Sequence, residues 1–366
     1  MPKFCFPEPN KLRNVATTIA SWQKVHGRHN LPWQNQHDPY RIWLAEVMLQ
    51  QTQVVTVIDY YLKFLQRFPT LKALAQSPLE KVMPYWAGLG YYARARHLHQ
   101  TAQIVYTQFN GQFPTTKEAL QTLPGIGPST AAAIAAFAFG QRVSILDGNV
   151  KRVFARYVGV REPVHLAATE RFLWQLAKHI VAVSPNNLNM TAYTQGLMDL
   201  GALLCTRANP NCSACPLQKH CYAYKHQLTK TLPIPRARKQ IPTRKKHMLI
   251  WVHNKKILLT RRPQKGIWGG LHSLPSFTNV KQLQQFCCQH AKEQPLKPQK
   301  QPHLIHRFTH FTLQIQPWSW ANACVDNVQL DAGHYEWIDK TKMDEIALPT
   351  PIKKLLNKHI STKQNS

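Results

Sequence analysis

The sequence predicts two domains of different class, a mainly α-helical domain followed by an α+β domain. With 366 residues the chain is long enough for two hydrophobic cores. Apolar residues recur at helical spacing in the N-terminal part, for example in residues 42–65 and 166–183. After a stretch rich in proline and cations, short strand-like runs replace this helical pattern.

Both predicted domains are strongly basic. The net charge is +29, from 46 Lys and Arg against 17 Asp and Glu. Residues 1–230 hold 24 basic and 10 acidic residues and residues 231–366 hold 22 and 7, so the two parts carry +14 and +15. Because the excess is not confined to one tail, we expect both domains to face a polyanion, with binding that weakens steeply with salt. A solvated basic surface without a polyanionic partner is the alternative.

The clearest helix boundaries of the first domain flank a turn, Leu-Pro-Gly-Ile-Gly, at residues 123–127. Residues 115–118 follow the capping-box pattern, and Gly127-Pro128 fits an N-cap followed by proline at the first helical position. The turn offers backbone N–H groups that suit a phosphate, and Gly125 and Gly127 permit close approach. A Gly-x-Gly turn alone is more often only a turn, but its helical flanks favour phosphate binding.

The boundary between the domains is predicted at residues 231–247, which read TLPIPRARKQIPTRKKH and indicate an exposed linker. Two strands follow, HMLIWVH and KILLTRR, joined in a hairpin at Asn254-Lys255. FTLQIQPWSW and GHYEWID are further strand-like runs, and an amphipathic helix over residues 351–359 closes the chain. The helical domain is therefore predicted over residues 1–230 and the α+β domain over residues 248–366.

Four of the eight cysteines have the spacing C-x6-C-x2-C-x5-C and can close around one metal centre; they are Cys205, Cys212, Cys215 and Cys221. Structural zinc sites usually show two close ligand pairs, and only one C-x2-C is present here. Spacing alone leaves zinc and an iron–sulfur cluster comparable. The other cysteines have no metal-like spacing and are expected to be free thiols; they are Cys5, Cys287, Cys288 and Cys324.

Several motifs in the same order resemble those of DNA glycosylases. The cysteine pattern, which follows a helix–hairpin–helix and an aspartate, resembles the endonuclease III superfamily. Within it, IWLAEVMLQQTQV, WAGLGYYARARHLH, ILDGNVKRV and LMDLGALLCT look like the MutY adenine DNA glycosylases. The match is dense over residues 20–225 and weaker through RRPQKGIWGGLHSLPSF and HRFTHFTL. The resemblance implies a 4Fe-4S cluster held by the four cysteines.

Glu46 and Asp147 are the candidate catalytic carboxyls. Removing a purine from deoxyribose needs a protonated carboxyl near the base and an ionised one beneath the sugar. The apolar helical context of Glu46 would raise its pKa by burial. The resemblance implies that Glu46 protonates adenine on an imidazole-ring nitrogen and later activates water, while Asp147 stabilises the oxocarbenium-like sugar. By composition alone they are an exposed helix glutamate and an N-cap aspartate.

Three more residues complete the predicted reaction centre by resemblance. Asn149 matches a position that assists at the sugar. Ser129 stands where bifunctional relatives carry a lysine in L-P-G-x-G-x-K-T, whose amine forms a Schiff base and cleaves the strand. Because a hydroxyl cannot do this, we expect a monofunctional glycosylase that leaves an abasic site. Lys151 matches a family lysine that contacts DNA and is known for adventitious trapping.

The target base lies inside a duplex and must be flipped out. By resemblance, Gln51 and Tyr91 wedge into the stack beside the damaged guanine, and Trp33 and Gln195 line the adenine pocket. Without the resemblance, Gln51 reads as part of a polar helix turn and Tyr91 as a core aromatic. Some relatives carry an arginine after the tryptophan and a glutamate at position 195, where this chain has Gln34 and Gln195.

The C-terminal domain resembles the fold of Nudix hydrolases. Their Glu-rich metal box is missing, since residues 266–295 contain only Glu293 as a carboxylate, and without it pyrophosphate chemistry has no metal site. We therefore expect a recognition module. Phe308, Thr309 and His310 match the family loop that senses 8-oxoguanine, with threonine in place of the usual serine.

The predicted function is the release of adenine mispaired with 8-oxoguanine or guanine in double-stranded DNA, by a monomer active in base excision repair. Three alternatives are a thymine glycosylase, a catalytically silent DNA-binding protein and a nucleotide-pool hydrolase. The Glu46–Asp147 pair argues against the first two, and the missing carboxylate box against the third.

The N-terminal sequence MPKFCFPEPNKLRN has no apolar core of a secretory signal. The longest apolar stretch, residues 131–139, is too short to span a bilayer. We therefore expect a bacterial cytoplasmic protein at the nucleoid, with reduced thiols.

Overall fold

In the computed structural model, the described residues are 12–237, 240–290, 297–320 and 335–362. Contacts divide the chain into two compact units. The first contains Met1–Gln76 and Gln100–Arg238, and the second contains Ser77–His99 and Lys239–Ser366. Within the described ranges, no helix is long and apolar enough to cross a membrane.

Residues 12–237 are mainly helical, with helices in this order: α1 (Val15–His26), α2 (Pro39–Leu49), α3 (Val54–Arg67), α4 (Leu71–Gln76), α5 (Leu79–Val82), α6 (Ala93–Gln108), α7 (Lys117–Leu120), α8 (Pro128–Phe139), α9 (Gly148–Val158), α10 (Ala167–Ala182), α11 (Met190–Asp199) and α12 (Tyr222–Lys225). Short 3-10 turns cover Met83–Trp86 and Gln218–His220, and a π-helical turn, Leu200–Leu204, follows α11. Helix α5 belongs to the second unit, and α6 passes from the second unit into the first.

The core of the first unit forms where the apolar faces of its helices meet. On α9 the buried residues Val150, Val153, Phe154 and Tyr157 recur at intervals of three and four, as one helical face requires. Helix α8 is buried all along residues 131–136, mostly alanines, and it packs against α2, α7 and α11. This central position gives rigid support to the residues at both ends of α8.

Helix starts and stops follow the local chemistry of the chain. Gly127 caps α8 with Pro128 in its first turn, as predicted. At α7 the cap is Thr116, whose hydroxyl accepts a hydrogen bond from Ala119 N at 3.3 Å, one residue after the threonine that the capping-box pattern indicates. Helix α9 ends at Gly159, where φ is 76° and an added Cβ would lie 2.2 Å from Tyr222 Cδ1.

The second unit contains a mixed β-sheet. Its strands are β1 (Thr243–His253), β2 (Lys256–Arg261), β3 (His272–Ser273), β4 (Ser276–Phe277), β5 (Gln299–Lys300), β6 (Leu304–Arg307), β7 (Thr312–Trp320) and β8 (Tyr335–Asp339). The order along the main path is β3-β2-β1-β7-β5, and β4, β6 and β8 pair with β1, β7 and β2 respectively. Only β1 and β7 pair in parallel among the described strands. Helices α13 (Val280–His290) and α14 (Thr350–Thr362) complete the unit.

The predicted strands and the final helix are confirmed, and the hairpin turn contains Asn254 and Lys255, both with positive φ. Strand β1, however, begins at Thr243, inside the stretch predicted as linker. Its first residues pair with β7 from Thr312 onward. Because Thr243, Arg244 and Lys245 stay exposed, their composition does not distinguish this part of the strand from a linker.

The assignment of Ser77–His99 to the second unit could not be read from the sequence. It depends on pairings between residues far apart in the chain. Arg96 Nη1 donates a hydrogen bond to Gly269 O at 2.9 Å, and Arg261 forms an ion pair with Glu80 at 2.5 Å.

Candidate active site

A half-buried carboxylic acid, Glu46, marks the centre of the candidate site. It projects from α2, whose neighbouring residues Ala45 and Val47 belong to the core. The Glu46 pKa is raised to about 8, first by burial and second by the nearby carboxyl of Asp147. The predicted direction of this shift is confirmed. Near neutral pH, Glu46 is therefore mostly protonated and can donate its proton.

Asp147 forms the second half of the pair at the N-terminus of α9. Its Oδ1 accepts a hydrogen bond from Val150 N at 2.7 Å, so it caps the helix. Burial raises the Asp147 pKa, whereas backbone N–H donors of Val150 and Asn149 and the cations Arg152 and Lys151 oppose the rise. Those donors and cations favour the ionised form of Asp147, so its surroundings suit a negative charge better than the surroundings of Glu46 do.

Ser129 fixes the segment that leads into Asp147. Its hydroxyl, in the first turn of α8, accepts a hydrogen bond from Leu146 N at 3.2 Å. The start of α8 is thereby joined to the residue that directly precedes Asp147, the catalytic candidate. The hydroxyl satisfies a backbone donor here, a task that the sequence pattern does not reveal.

A cavity of about 360 Å³ opens beside Glu46 in the first unit. Glu46, Trp33 and Gln195 line it together, although they come from three separate regions of the sequence. The Trp33 ring packs edge-on against Tyr61, with ring centroids 5.4 Å apart. The volume falls within the range of small-ligand pockets. The structure thus brings the predicted acid and both predicted pocket residues to one cavity.

An ion pair between the half-buried Arg28 and the buried Asp199 supports one side of this cavity. Gln195 Nε2 donates a hydrogen bond to Asp199 Oδ1 at 2.8 Å. Asp199 also accepts from Arg28 Nε at 2.7 Å and from Arg28 N at 2.8 Å. Arg28 and Asp199 were not predicted from the sequence. The i, i+4 spacing of Gln195 and Asp199 on α11 could have indicated their contact, but the Arg28 partner could not be found this way.

The predicted phosphate turn lies at the protein surface. Gly125 has φ of 75° and is exposed, as is Gly127. Leu123, before the two glycines, and Ile126, between them, are buried and anchor the turn. The exposed N-terminal end of α8 therefore offers free backbone N–H groups, as a phosphate site requires.

Gln51 lies next to this turn. It is exposed, with φ of 60°, directly after α2. The preceding Gln50 bonds through Nε2 to Thr130 Oγ1 at 3.2 Å and contacts Gly125 O at 3.5 Å. These bonds join the end of α2 to the turn, so Gln51 and the phosphate turn share one surface.

Tyr91 belongs to the second unit and is 46% exposed, which excludes the alternative of a core aromatic. Its φ is 49°, and its carbonyl accepts a hydrogen bond from Arg94 N at 2.8 Å. The Arg94 guanidinium lies 5.7 Å from the Tyr91 ring centroid. These contacts fix the ring at the surface.

Lys151 and Asn149 contact protein groups that the sequence did not indicate. Lys151 Nζ forms an ion pair with Glu170 Oε1 at 2.8 Å. Asn149 Oδ1 accepts a hydrogen bond from Arg152 Nη2 at 2.9 Å. The same Arg152 donates to Gly201 O and, through Nε, to Cys205 O at 2.8 Å. Helix α9 is therefore tied to the segment that carries the first cysteine.

The four predicted cysteines line one small cavity in the first unit. Arg156, almost fully buried, donates to Cys205 Sγ at 3.4 Å and to the carbonyls of Thr206 and Arg207 at 2.6 and 3.1 Å. Within the described residues, no three His, Cys, Asp or Glu side chains are arranged to hold a single metal ion. Four thiols on one cavity, with an arginine nearby, are the donor set that an iron–sulfur cluster needs.

The Phe308 loop joins β6 to β7 in the second unit. Phe308 stacks on Phe311, with ring centroids 4.6 Å apart, and Phe308 N donates to Phe311 O at 2.9 Å. Trp268 and His306 pack against the Phe308 ring. Thr309 and His310 are exposed at the tip. An anchored phenylalanine thus presents two polar side chains to solvent.

Comparison with known proteins places this geometry in a family. Residues 44–179 match the HhH-GPD superfamily of base excision DNA repair proteins, and residues 247–358 match the NUDIX domain. An adenine DNA glycosylase of Buchnera aphidicola subsp. Baizongia pistaciae is 36% identical over 344 residues, which cover 93% of this chain and 95% of that protein. The chain belongs to the adenine DNA glycosylase family. The human family member is 31% identical over 401 residues, covering 92% of this chain and 72% of that protein.

Solved structures support the fold of the family's helical domain. A thermostable thymine-DNA glycosylase matches with a TM-score of 0.53 and 29% identity over 59% of this chain and 98% of its own. An endonuclease III in a non-covalent DNA complex matches with a TM-score of 0.51 and 20% identity, covering 61% of this chain and 99% of its own. The predicted family, the endonuclease III-like helical fold and the C-terminal Nudix-like domain are confirmed.

Proposed function

We propose that the protein is a monofunctional DNA glycosylase that hydrolyses the N-glycosidic bond of adenine paired with 8-oxoguanine or guanine. The observation that carries this proposal is the Glu46 carboxyl, whose pKa is raised to about 8 and which lines a cavity of about 360 Å³. Asp147 at the start of α9 supplies the complementary negative charge. The family membership supports adenine as the base.

The reaction uses both carboxyls in turn. A flipped adenine enters the cavity, and the protonated Glu46 donates to an imidazole-ring nitrogen of the base. The bond between the base and C1′ breaks, its electron pair leaves with the neutralised base, and Asp147 stabilises the cationic sugar. Water then adds to C1′ and returns its proton to Glu46. Asn149 assists at the sugar.

The strand stays uncut after this step because no amine is available at position 129. The Ser129 hydroxyl accepts a hydrogen bond from Leu146 N and cannot form a Schiff base. Lys151 is paired with Glu170 at 2.8 Å, which favours a role in charge and DNA contact over attack on the sugar. The product is therefore an abasic site.

A 4Fe-4S cluster is proposed on the four cysteines that share one cavity: Cys205, Cys212, Cys215 and Cys221. When bound, the cluster would cross-link the loop that precedes α12. Arg156 would remain beside the Cys205 sulfur and hold the carbonyls that follow it. Iron and acid-labile sulfide should co-purify with the chain and be lost in Cys215→Ser. They should be retained in Cys288→Ser, because that exposed thiol lies in the other unit.

Recognition of DNA is divided between the two units in this proposal. The phosphate turn with Gly125 and Gly127 binds the DNA backbone, and Gln51 and Tyr91 fill the gap left by the flipped base. The exposed Thr309 and His310 contact 8-oxoguanine from a basic Nudix-like domain of residues 248–366, which follows the predicted linker of residues 231–247. We infer that the protein works at the nucleoid of a bacterial cell.

One assay tests the proposal against its rivals. Duplexes with A:8-oxoguanine, A:G or T:G pairs are incubated with the full chain and then treated with alkali. We expect adenine release from the first two, no T:G cleavage, and strand breaks only after alkali. Glu46→Gln should lower the rate by about 10²- to 10⁴-fold, the usual contribution of a general acid. Release of thymine, or no release from A:8-oxoguanine, would overturn the proposal.

A further inference from the structure

The buried Asp199 carboxylate is the one acidic group in contact with a cavity-lining amide in the described part of the first unit. Asp199 has no exposed side-chain surface, and its two oxygens accept three hydrogen bonds. Two come from Arg28, through the backbone N to Oδ2 and through Nε to Oδ1. The third comes from Gln195 Nε2 to Oδ1. None of these atoms takes part in the proton transfers proposed above.

This pairing determines which end of the Gln195 amide faces Asp199. A carboxylate paired with an arginine is ionised and can only accept hydrogen bonds. The amide must therefore turn its NH₂ group toward Asp199. Its carbonyl oxygen makes no hydrogen bond among the described residues and remains available to the cavity that Gln195 lines. The cavity wall thus offers an acceptor at this point.

An acceptor at this position distinguishes purines by the group on their six-membered ring. The exocyclic amino group of adenine can donate to the Gln195 carbonyl. A 6-oxopurine, such as hypoxanthine, would place its own carbonyl oxygen against it. Two acceptors facing each other in a buried site leave both unsatisfied, which costs free energy. Both bases keep the same imidazole-ring nitrogen for Glu46, so proton donation to that nitrogen does not distinguish them, whereas the amide facing position 6 would.

We propose that Arg28 and Asp199 are positioning residues that orient the Gln195 amide and thereby make the cavity selective for a 6-aminopurine over a 6-oxopurine. The inference rests on the proposed adenine glycosylase activity. It assigns the origin of base selectivity to a pair that does not touch the reacting atoms.

The test converts the ion pair into a neutral pair that holds the amide the other way round. In Arg28→Met/Asp199→Asn, the backbone N of residue 28 still needs the oxygen of Asn, so the Asn NH₂ faces Gln195. The Gln195 carbonyl then turns toward Asn, and its NH₂ faces the cavity. Replacing both partners leaves no unpaired buried charge. Single-turnover rates are measured on duplexes with adenine or hypoxanthine opposite 8-oxoguanine. We expect the adenine-to-hypoxanthine rate ratio to fall by about tenfold or more.

The matched control repeats the double substitution in a Gln195→Met background, where no amide can turn. If Arg28 and Asp199 act through Gln195, the ratio should then change by less than about twofold. The inference would be overturned if the double substitution changed the ratio equally with Gln195 and with Gln195→Met. It would also be overturned if the ratio did not change in the chain that keeps Gln195. A wild-type chain that releases no adenine would instead defeat the proposed function.

A second measurement does not depend on folding of the double variant. Wild type and Gln195→Met are compared on adenine and on unsubstituted purine, which lacks the exocyclic amino group. We expect Gln195→Met to slow adenine release by about tenfold and purine release by less than about twofold. The same slowing on both bases would show that the Gln195 carbonyl does not accept from the amino group, and the inference would fail.

Discussion

At the residue scale, the unusual group is an acid that stays protonated near neutral pH. Glu46 has its pKa raised from 4.5 to about 8, because burial disfavours its charged form and Asp147 repels it. The surroundings of Asp147 differ, because backbone N–H donors at the start of α9 lower its pKa and so oppose the effect of burial. The surroundings of the two carboxyls therefore differ: those of Glu46 only raise its pKa, whereas those of Asp147 include donors and cations that oppose the rise.

The raised Glu46 pKa also carries a stability consequence. In the unfolded chain Glu46 loses its proton near pH 4.5, whereas in the folded chain it keeps the proton until about pH 8. The folded state therefore binds more protons in this window, and its stability falls as pH rises through it. Glu46→Gln removes this loss, so at pH 8 the variant should have a free energy of unfolding about a few kcal/mol larger than that of wild type. It should therefore also unfold at a higher temperature. The two melting temperatures should converge near pH 4.5; a constant difference across the range would contradict the shift.

The Thr309 hydroxyl is the second residue-scale test. It is exposed at the tip of the Phe308 loop, where threonine replaces the serine of the family pattern. Thr309→Ala should reduce the rate preference for A:8-oxoguanine over A:G by about fivefold, the value of about one hydrogen bond. Thr341→Ala, another exposed threonine of the same unit, should leave the preference unchanged. Equal preferences in wild type and Thr309→Ala would remove Thr309 from recognition.

At the element scale, α9 carries most of the site's organisation. Asp147 caps its start, Asn149 and Arg152 bond to each other in its first turns, and Arg156 reaches the Cys205 sulfur. The helix therefore joins the candidate carboxylate, Asp147, to the cysteine loop. A shift of this single element would move both.

Capping and catalysis by Asp147 can be separated on α9. Asparagine caps a helix about as well as aspartate, so Asp147→Asn should retain the stability of wild type within about 0.5 kcal/mol. Adenine release should nevertheless fall by at least about 10²-fold, because the neutral amide cannot stabilise a sugar cation. Asp147→Ala should lose activity and also about 1 kcal/mol of stability. Thermal unfolding and single-turnover rates check both variants; full activity in Asp147→Asn would contradict the electrostatic role.

Local signals could predict elements but not their partners. Gly127-Pro128 and the Asn254-Lys255 turn are encoded in two residues each, and the structure confirms both. The Arg28–Asp199 pair joins residues 171 positions apart, and no local pattern encodes such a contact. The start of β1 at Thr243 could not be predicted, because it depends on pairing with the distant strand β7. Arg244 and Lys245 stay exposed in this part of the strand, so their composition is the same as that of a linker.

The site itself was predictable to the extent that its chemistry has sequence motifs. Glu46, Trp33 and Gln195 were predicted separately, and the structure joins them at one cavity. The ion pair of Lys151 with Glu170 and the Ser129 bond to Leu146 N were not predictable. Such contacts depend on tertiary packing, which a motif does not specify.

At the scale of the whole molecule, both parts of the chain carry a similar excess of positive charge. The net charge of +29 is divided almost evenly between residues 1–230 and 231–366. A protein that holds DNA through both parts should release many counterions on binding.

Salt dependence measures this contribution. If about six or more phosphates are contacted, the slope of log affinity against log salt should be about −5 or steeper, since each contact contributes about −0.9. Fluorescence anisotropy with a labelled duplex and the full chain gives this slope. The single-turnover rate at saturating protein is the control and should change little with salt. A slope near −1 would mean that most Lys and Arg side chains stay solvated and do not contact phosphate.

The pH dependence of adenine release tests the central claim, that a protonated Glu46 starts the reaction. The single-turnover rate on an A:8-oxoguanine duplex should be steady near neutral pH and fall as pH rises through about 8, the pKa of Glu46. Well above that value the fall should approach about tenfold per pH unit, and Glu46→Gln should show no such step. A rate that stays constant or rises through this range in the wild type would contradict the account.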